Sequence, residues 1–147
     1  MVTVAYQGEP GAFSEEAARS FFGPRAKLLP KQSFKDVFDY ASKHSQGFGI
    51  VPIENSVFGS VHQNYDLLLR HKLHIIGEIK LRIQLHMMVL PGVSLKGVRS
   101  VYSHSQALGQ CEEYLRSLKG VSVVASYDTA GAAKMIREQN RIDAAAI

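Results

Sequence analysis

Short apolar runs alternate with amphipathic stretches along most of this chain. The apolar runs predict buried strands at residues 2–6, 48–51, 98–102, 121–125 and 143–147, with a short strand at 26–29. Apolar residues at helical spacing predict helices at 14–22, 33–42, 60–70, 105–118 and 129–138. Because strands and helices alternate, the pattern predicts an α/β fold with parallel sheets flanked by helices.

The stretch from residue 73 to residue 90 differs from the rest. Apolar and polar residues alternate there from Glu78 to His86. Period-two patterning over so many residues predicts one long strand, or two strands joined by a bend. We expect this segment to run from a first α/β lobe at residues 1–77 into a second α/β lobe at residues 78–147.

The composition argues against several classes of protein. An apolar fraction of 46% and a charged fraction of 20% are ordinary for a globular protein. The net charge is +4, but no basic run alternates with aromatic residues, so nucleic-acid binding is not expected. No apolar run approaches the roughly 18 residues of a membrane span, and no signal peptide is recognisable. The single cysteine is typical of a reducing compartment, and we expect a cytoplasmic protein.

Four loops that join a strand to the next helix are rich in hydroxyls, amides and glycine. They are residues 7–14, 52–60, 103–106 and 126–129. In parallel sheets such loops lie at the carboxyl ends of the strands, where ligands bind. The N–H groups at a helix start favour an anion, and the absence of G-x-G-x-x-G or a P-loop makes a nucleotide unlikely. The six histidines lack zinc-site spacing, so no metal is expected.

The loop at residues 52–60 is the most informative of the four. Ser60 and Gln63 have the S-x-x-Q spacing of a capping box, which predicts a helix start at Ser60. Asn55 and Ser56 then lie at the mouth of a strand-to-helix junction, where an anion is favoured. The alternative is a capped turn with no ligand.

Two junctions in the second half carry similar groups. Gln106 and Gln110 are four residues apart on the same face of a predicted helix, beside Ser103 at its mouth. Polar groups there either bind a carboxylate or hydroxyl or line an ordinary solvated edge. Cys111 falls on the apolar stripe of that helix, which indicates a core residue rather than a nucleophile. Asp128 is the predicted N-cap of the next helix. The small residues at 129–131 either admit a ligand or pack tightly on the sheet.

Five stretches, in the same order, resemble the prephenate dehydratases and their close relatives, the arogenate dehydratases. They are residues 6–14 (YQGEPGAFS), 52–61 (PIENSVFGSV), 64–68 (NYDLL), 103–111 (SHSQALGQC) and 128–134 (DTAGAAK). The resemblance implies a type II periplasmic-binding-protein fold, with two α/β lobes and a ligand cleft between them. It also implies a carbon–oxygen lyase of phenylalanine biosynthesis, which converts prephenate to phenylpyruvate with loss of water and carbon dioxide and needs no cofactor.

The resemblance also implies roles for individual residues. The groups that orient the dianionic substrate and its leaving hydroxyl would be Asn55, Ser103 and Gln110. The groups that line the anion site would be Ser14, Ser56, Thr129, Ala130 and Gly131. The intact enzyme is expected to be a homodimer or homotetramer.

Two departures from the family pattern matter. Ser105 stands where the family usually has proline, a change that the first turn of a helix tolerates. The sequence also stops before the family's Thr-Arg-Phe motif, whose threonine is the proposed catalytic residue, and before its ACT regulatory domain. We therefore expect residues 1–147 alone, without a return segment to the first lobe, to be inactive and less stable. Two other functions remain open: arogenate dehydratase, and a non-catalytic anion-binding module of the same fold.

Overall fold

The computed structural model describes residues 2–147, which form two compact units. Unit 1 ends at Ile83, and unit 2 is Gln84–Ile147. Each unit contains its own three-stranded parallel sheet. Within residues 2–147, no helix is both long enough and apolar enough to cross a membrane.

Unit 1 begins with alternating strands and helices. They are β1 (Thr3–Gln7), α1 (Phe13–Phe22), β2 (Lys27–Lys31), α2 (Phe34–Lys43) and β3 (Gly47–Ile50). A short antiparallel hairpin follows, made of β4 (Glu54–Asn55) and β5 (Gly59–Ser60), and then α3 (His62–Arg70). The sheet order is β2–β1–β3, so β1 is central. Val4 and Ala5 of β1 are fully buried, and α1 and α2 pack on this strand.

Unit 2 repeats this order of elements. A 3-10 turn at Leu95–Gly97 precedes β6 (Ser100–His104), α4 (Ser105–Gln110), α5 (Glu112–Ser117), β7 (Ser122–Ser126), α6 (Thr129–Glu138) and β8 (Ala144–Ala146). The sheet order is β7–β6–β8, and all three strands are parallel. The core forms around Val98, Val101, Leu115 and Ile136.

Both sheets have the same topology, with the first strand central and the next two strands on opposite sides of it. The second strand is therefore added on one side of the first strand, and the third strand is added on the other side. In open α/β sheets, ligands bind at such switch points, outside the carboxyl ends of the strands. This places the loops after β1 and β3 at the ligand edge of unit 1, and the loop after β6 at that of unit 2.

The predicted helix start at Ser60 is wrong. Ser60 pairs with Glu54 in the β4–β5 hairpin, so its backbone belongs to a strand. The helix α3 begins after Val61, whose N–H donates to the carbonyl of Ile53 at 2.8 Å, and its N-cap has no side-chain hydrogen bond. A tertiary pairing has thus replaced the capping box that the spacing of Ser60 and Gln63 predicted.

The long strand predicted within residues 73–90 is also wrong. Among the described residues, only Met88 pairs there, through an antiparallel bridge to Ala146. Alternation shows only that successive residues have different surroundings. A strand also needs hydrogen bonds to a neighbouring backbone, and within residues 2–147 Glu78–His86 is not paired with any strand. The helix predicted at residues 105–118 is present but interrupted at Cys111, which divides it into α4 and α5.

Candidate functional site

The loop after β1 is held in one conformation by Glu15. Gly8 and Gly11 have φ values of 117° and 93°, which side chains rarely adopt, so this turn requires glycine. The N–H of Gly11 donates to Oε2 of Glu15 at 2.6 Å, and Arg19 donates to the other carboxylate oxygen, also at 2.6 Å. Chiefly because of the bond from Gly11, the pKa of Glu15 lies below its ordinary value. Ser14, a predicted anion-binding residue, lies half-buried in the first turn of α1, next to this carboxylate.

The tyrosine that ends the buried part of β1 supports the same loop. The side chain of Tyr6 is almost fully buried, and its hydroxyl points to Oε2 of Glu15 at 3.5 Å. Burial, with the negative charge of Glu15, raises the pKa of Tyr6 to about 12. Tyr6 therefore stays protonated at all ordinary pH values.

Asn55 uses its side-chain oxygen within its own hairpin. Its Oδ1 accepts hydrogen bonds from the N–H groups of Val57 at 2.8 Å and Phe58 at 3.2 Å. The oxygen therefore fixes the turn between β4 and β5, and the orientation of the amide follows, because only an oxygen can accept these bonds. The Nδ2 amino group takes no part in these two bonds. The neighbouring Ser56 is exposed in the same turn.

The base of this hairpin is attached to α3 by Asn64. Asn64 is fully buried, and its Nδ2 donates to the carbonyl of Pro52 at 2.7 Å. Its Oδ1 has no hydrogen-bond partner among residues 2–147. Asn64 and the bond from Val61 to Ile53 together anchor the segment that carries Asn55.

In unit 2, Ser103 lies on β6 and is fully buried. Its Oγ donates to the carbonyl of Ile147 at 2.5 Å, and the N–H of Ile147 donates to the carbonyl of Tyr102. The hydroxyl therefore attaches the residue after β8 to the central strand. Contact between Ser103 and the substrate stays a prediction.

The helix that follows β6 begins at a histidine cap. Nδ1 of His104 accepts a hydrogen bond from the N–H of Gln106 at 3.3 Å. Ser103 and His104 thus have separate partners and do not form a nucleophile–base pair. Gln110, the predicted substrate-orienting residue, ends α4 and is exposed. Cys111 packs against the apolar core, as its position on the apolar stripe predicts.

The start of α6 confirms the predicted N-cap. Oδ1 of Asp128 accepts a hydrogen bond from the N–H of Gly131 at 2.8 Å. The N–H groups of Thr129 and Ala130 belong to the first turn, which has no acceptors within the helix. These two half-buried residues present N–H donors where the dipole of a ten-residue helix favours an anion.

The predicted site residues fall into two sets. In unit 1, Ser14 follows the loop after β1, and Asn55 and Ser56 share the hairpin after β3. In unit 2, Ser103 lies in β6, Gln110 is the last residue of α4, and residues 129–131 are the first three residues of α6. Their roles in substrate binding stay predictions. No group of His, Cys, Asp or Glu within residues 2–147 has the geometry of a metal site.

Three residues of these loops and helix starts were not predicted from the sequence to have a role: Glu15, Asn64 and Tyr127. Glu15 stands four residues before Arg19, a spacing that signals a surface ion pair, but nothing local indicates that it also holds Gly11. Asn64 breaks the apolar face of α3 with a polar side chain, which is the available signal for a buried hydrogen bond. Tyr127 is an exposed aromatic residue directly before the N-cap Asp128.

Comparison with known proteins agrees with this architecture. A family model described as prephenate dehydratase matches residues 4–147. Arogenate dehydratase/prephenate dehydratase 2, chloroplastic, from Arabidopsis thaliana is 47% identical over 146 residues, which are 99% of this chain and 38% of that protein. Arogenate dehydratase 2 from Petunia hybrida is 46% identical over 144 residues, 98% of this chain and 36% of that protein.

A solved relative has a closely similar fold. The prephenate dehydratase of Arthrobacter aurescens, in complex with L-Phe, superposes with a TM-score of 0.87 at 26% identity, over 99% of this chain and 50% of that one. The chain therefore spans about half of that solved protein and 38% of the Arabidopsis protein. The predicted α/β fold of parallel sheets flanked by helices is confirmed. Because the family model covers nearly all of its residues, this chain belongs to the prephenate dehydratase family.

Proposed function

We propose that the full-length protein carrying this chain converts prephenate to phenylpyruvate, as a carbon–oxygen lyase of phenylalanine biosynthesis. Family membership supports this proposal, and the observation that carries it is the hairpin of Asn55. Two backbone bonds fix the oxygen of this side chain, so its amino group is a preorganised donor. Donors of this kind stabilise charge that develops on a leaving oxygen.

The reaction breaks two bonds of prephenate and makes the ring aromatic. The bond from the ring to one carboxylate breaks, and carbon dioxide leaves. The electron pair of that bond moves into the ring as the bond to the hydroxyl breaks, and the leaving hydroxide takes a proton from solvent to become water. Aromatisation drives the reaction, so the protein must bind the anion, orient it and assist the hydroxyl. A preorganised hydrogen-bond donor at the developing charge is typically worth about 10²–10³ in rate.

We assign these tasks to the residues as follows. Asn55 donates from Nδ2 to the leaving hydroxyl, and the N–H groups of Thr129 and Ala130 bind a carboxylate at the start of α6. Ser103 is a positioning residue, because its hydroxyl is buried and already donates to Ile147. The remaining polar groups of the substrate meet the side chains of Gln110, Ser14 and Ser56 and the backbone of Gly131.

Arogenate is the second candidate substrate. It differs from prephenate by an amine in place of the keto group on the side chain, and the reaction then yields phenylalanine. The identities of 47% and 46% to plant proteins named arogenate dehydratases favour this alternative. The cytoplasmic location and the homo-oligomeric state also remain proposals. The Arabidopsis relative is named chloroplastic, so the plastid is the competing location.

The test is to supply the full-length protein with prephenate and with arogenate, and to measure phenylpyruvate and phenylalanine separately. We expect phenylpyruvate from prephenate, with arogenate turned over more slowly. A protein that is stabilised by prephenate in a thermal-shift assay but forms no product would be an anion-binding module instead. Faster turnover of arogenate would assign the protein to the arogenate dehydratases.

A further inference from the structure

Tyr127 lies on the loop between β7 and α6, at the carboxyl edge of the unit 2 sheet, and 67% of its surface is exposed. Its ring packs on the first turn of α6, directly against Gly131. A Cβ atom at residue 131 would lie 2.5 Å from Cζ, 2.5 Å from the hydroxyl oxygen and 2.8 Å from Cε2 of the tyrosine. These distances are too short for real contacts, so any side chain at residue 131 would displace the ring.

Gly131 is not required by the backbone of α6. It is a buried helical residue, and it is not among the glycines with positive φ, so alanine could adopt the same conformation. Its neighbours Ala130, Ala132 and Ala133 are alanines, and glycine is a poorer helix former than alanine. The space taken by the ring of Tyr127 therefore explains the glycine, at some loss of helix stability.

Core packing does not account for the position of this ring, because most of the tyrosine surface is in solvent. Tyr6, by contrast, is almost fully buried within unit 1. An exposed ring that is fixed on the first turn of α6 stands next to Thr129 and Ala130, whose N–H groups are the proposed carboxylate site. Aromatic faces attract planar, unsaturated rings in offset or edge-on arrangements.

We propose that Tyr127 forms the surface on which the six-membered ring of the substrate lies, and that Gly131 leaves the space that the tyrosine ring occupies. This inference rests on the proposed function and adds a specificity-determining residue to it. The first turn of α6 binds the carboxylate, and the adjacent tyrosine selects acids that carry an unsaturated ring. A 2-oxo acid without a ring would bind the same N–H groups but not the tyrosine.

The structure offers two independent ways to remove the contact. Tyr127→Ala deletes the ring, and Gly131→Ala displaces it while leaving the tyrosine in the chain. Tyr127→Phe keeps the ring and is the conservative variant. Matched controls lie in the same unit: Tyr114→Ala removes a tyrosine that is 50% exposed on α5, and Gly97→Ala adds a Cβ that meets nothing within 4 Å.

The experiment measures kcat and KM for prephenate in the full-length protein, and the affinities for phenylpyruvate and pyruvate by calorimetry. We expect Tyr127→Ala and Gly131→Ala to raise KM and to weaken phenylpyruvate binding by about 3- to 10-fold, the range of a single aromatic contact. Pyruvate affinity should change less than twofold, and both controls should match the wild type. Tyr127→Phe, which keeps the ring, should keep the preference for phenylpyruvate over pyruvate. A purely structural role would not distinguish phenylpyruvate from pyruvate.

The outcomes separate this inference from the proposed function. If the wild type binds phenylpyruvate but does not turn over prephenate, the proposed reaction fails, and the binding measurements still decide the role of Tyr127. Wild-type affinity for phenylpyruvate in both Tyr127→Ala and Gly131→Ala overturns the inference alone. Equal weakening for pyruvate and phenylpyruvate also overturns it. A wild type that neither binds phenylpyruvate nor turns over prephenate overturns both.

Discussion

The substitution Asn55→Asp separates the two functions of one side chain. Aspartate has the same shape as asparagine, and it keeps the oxygen that accepts from Val57 and Phe58 at 2.8 and 3.2 Å. Bonds from backbone N–H groups to a carboxylate are at least as strong as those to an amide, so the turn should stay intact. The substitution removes only the Nδ2 donor and puts a negative oxygen in its place, which would repel the dianionic substrate that we propose.

The expected effect on the reaction is large, whereas the effect on stability is small. Loss of one preorganised donor at a developing oxyanion lowers kcat by about 10²–10³, or about 2.7–4 kcal/mol of transition-state stabilisation. The free energy of unfolding should change by less than about 0.5 kcal/mol, because the turn bonds persist and the residue is not in the core. By comparison, Asn55→Ala loses the turn bonds as well and should lower both quantities.

The assay follows phenylpyruvate formation by the full-length protein, and urea denaturation of the same samples gives the free energy of unfolding. Asn140→Asp is the matched control: Asn140 is exposed, has φ of 49°, and aspartate tolerates this left-handed conformation nearly as well. That control should retain wild-type kcat. If Asn55→Asp is folded and its kcat is within threefold of the wild type, Nδ2 does not assist the leaving group and the assignment of Asn55 is refuted.

Three further predictions concern the groups that support the site. Ser103→Ala removes the buried donor to Ile147 and should lower the free energy of unfolding by about 1–3 kcal/mol in urea, with kcat reduced less than about tenfold; unchanged stability would show that the bond contributes nothing. Folding lowers the pKa of Glu15 below its ordinary 4.5, mainly through the N–H of Gly11, so this carboxylate stabilises the protein above that value and the stabilisation disappears as pH falls through the folded pKa. In denaturation series over this acidic range, the wild type should therefore lose more stability than Glu15→Gln, and parallel curves would contradict this. Burial raises the pKa of Tyr6 from 10.0 to about 12, so its stabilising contribution is complete below pH 10 and is lost as the pH rises to 12. Over this range the free energy of unfolding of the wild type should fall more steeply with pH than that of Tyr6→Phe. Equal slopes of the two curves would count against the argument.

Much of the fold follows from local sequence pattern. Buried strands such as β1 and β6 appear as short apolar runs, and the helix at residues 129–138 appears as apolar spacing behind a recognisable cap at Asp128. These signals succeed because each depends on residues that are close in sequence. The carboxyl-edge position of the polar loops follows as well, because parallel strands that alternate with helices leave all such loops on one edge.

The errors occur where backbone pairing, rather than side-chain preference, decides the structure. Ser60 has the side chain of an N-cap, but pairing with Glu54 places it in a hairpin. The alternation from Glu78 to His86 satisfies the side-chain pattern of a strand, yet a ladder requires a partner backbone, which residue types alone do not specify. In both places the presence or absence of a backbone partner decides the structure, and side-chain spacing carries no information about it.

The chemistry of the site depends on which polar atoms the fold has already used, and sequence spacing cannot show this. The oxygen of Asn55 holds a turn, the hydroxyl of Ser103 donates to Ile147, and the N–H of Gly131 donates to Asp128. The donors left over in these loops include Nδ2 of Asn55 and the N–H groups of Thr129 and Ala130 at the start of α6. The unpaired acceptor of Asn64 is fully buried, so a ligand does not reach it. Donors of this kind attract oxygen atoms and negative charge, which agrees with the carboxylic acid that we propose as the ligand.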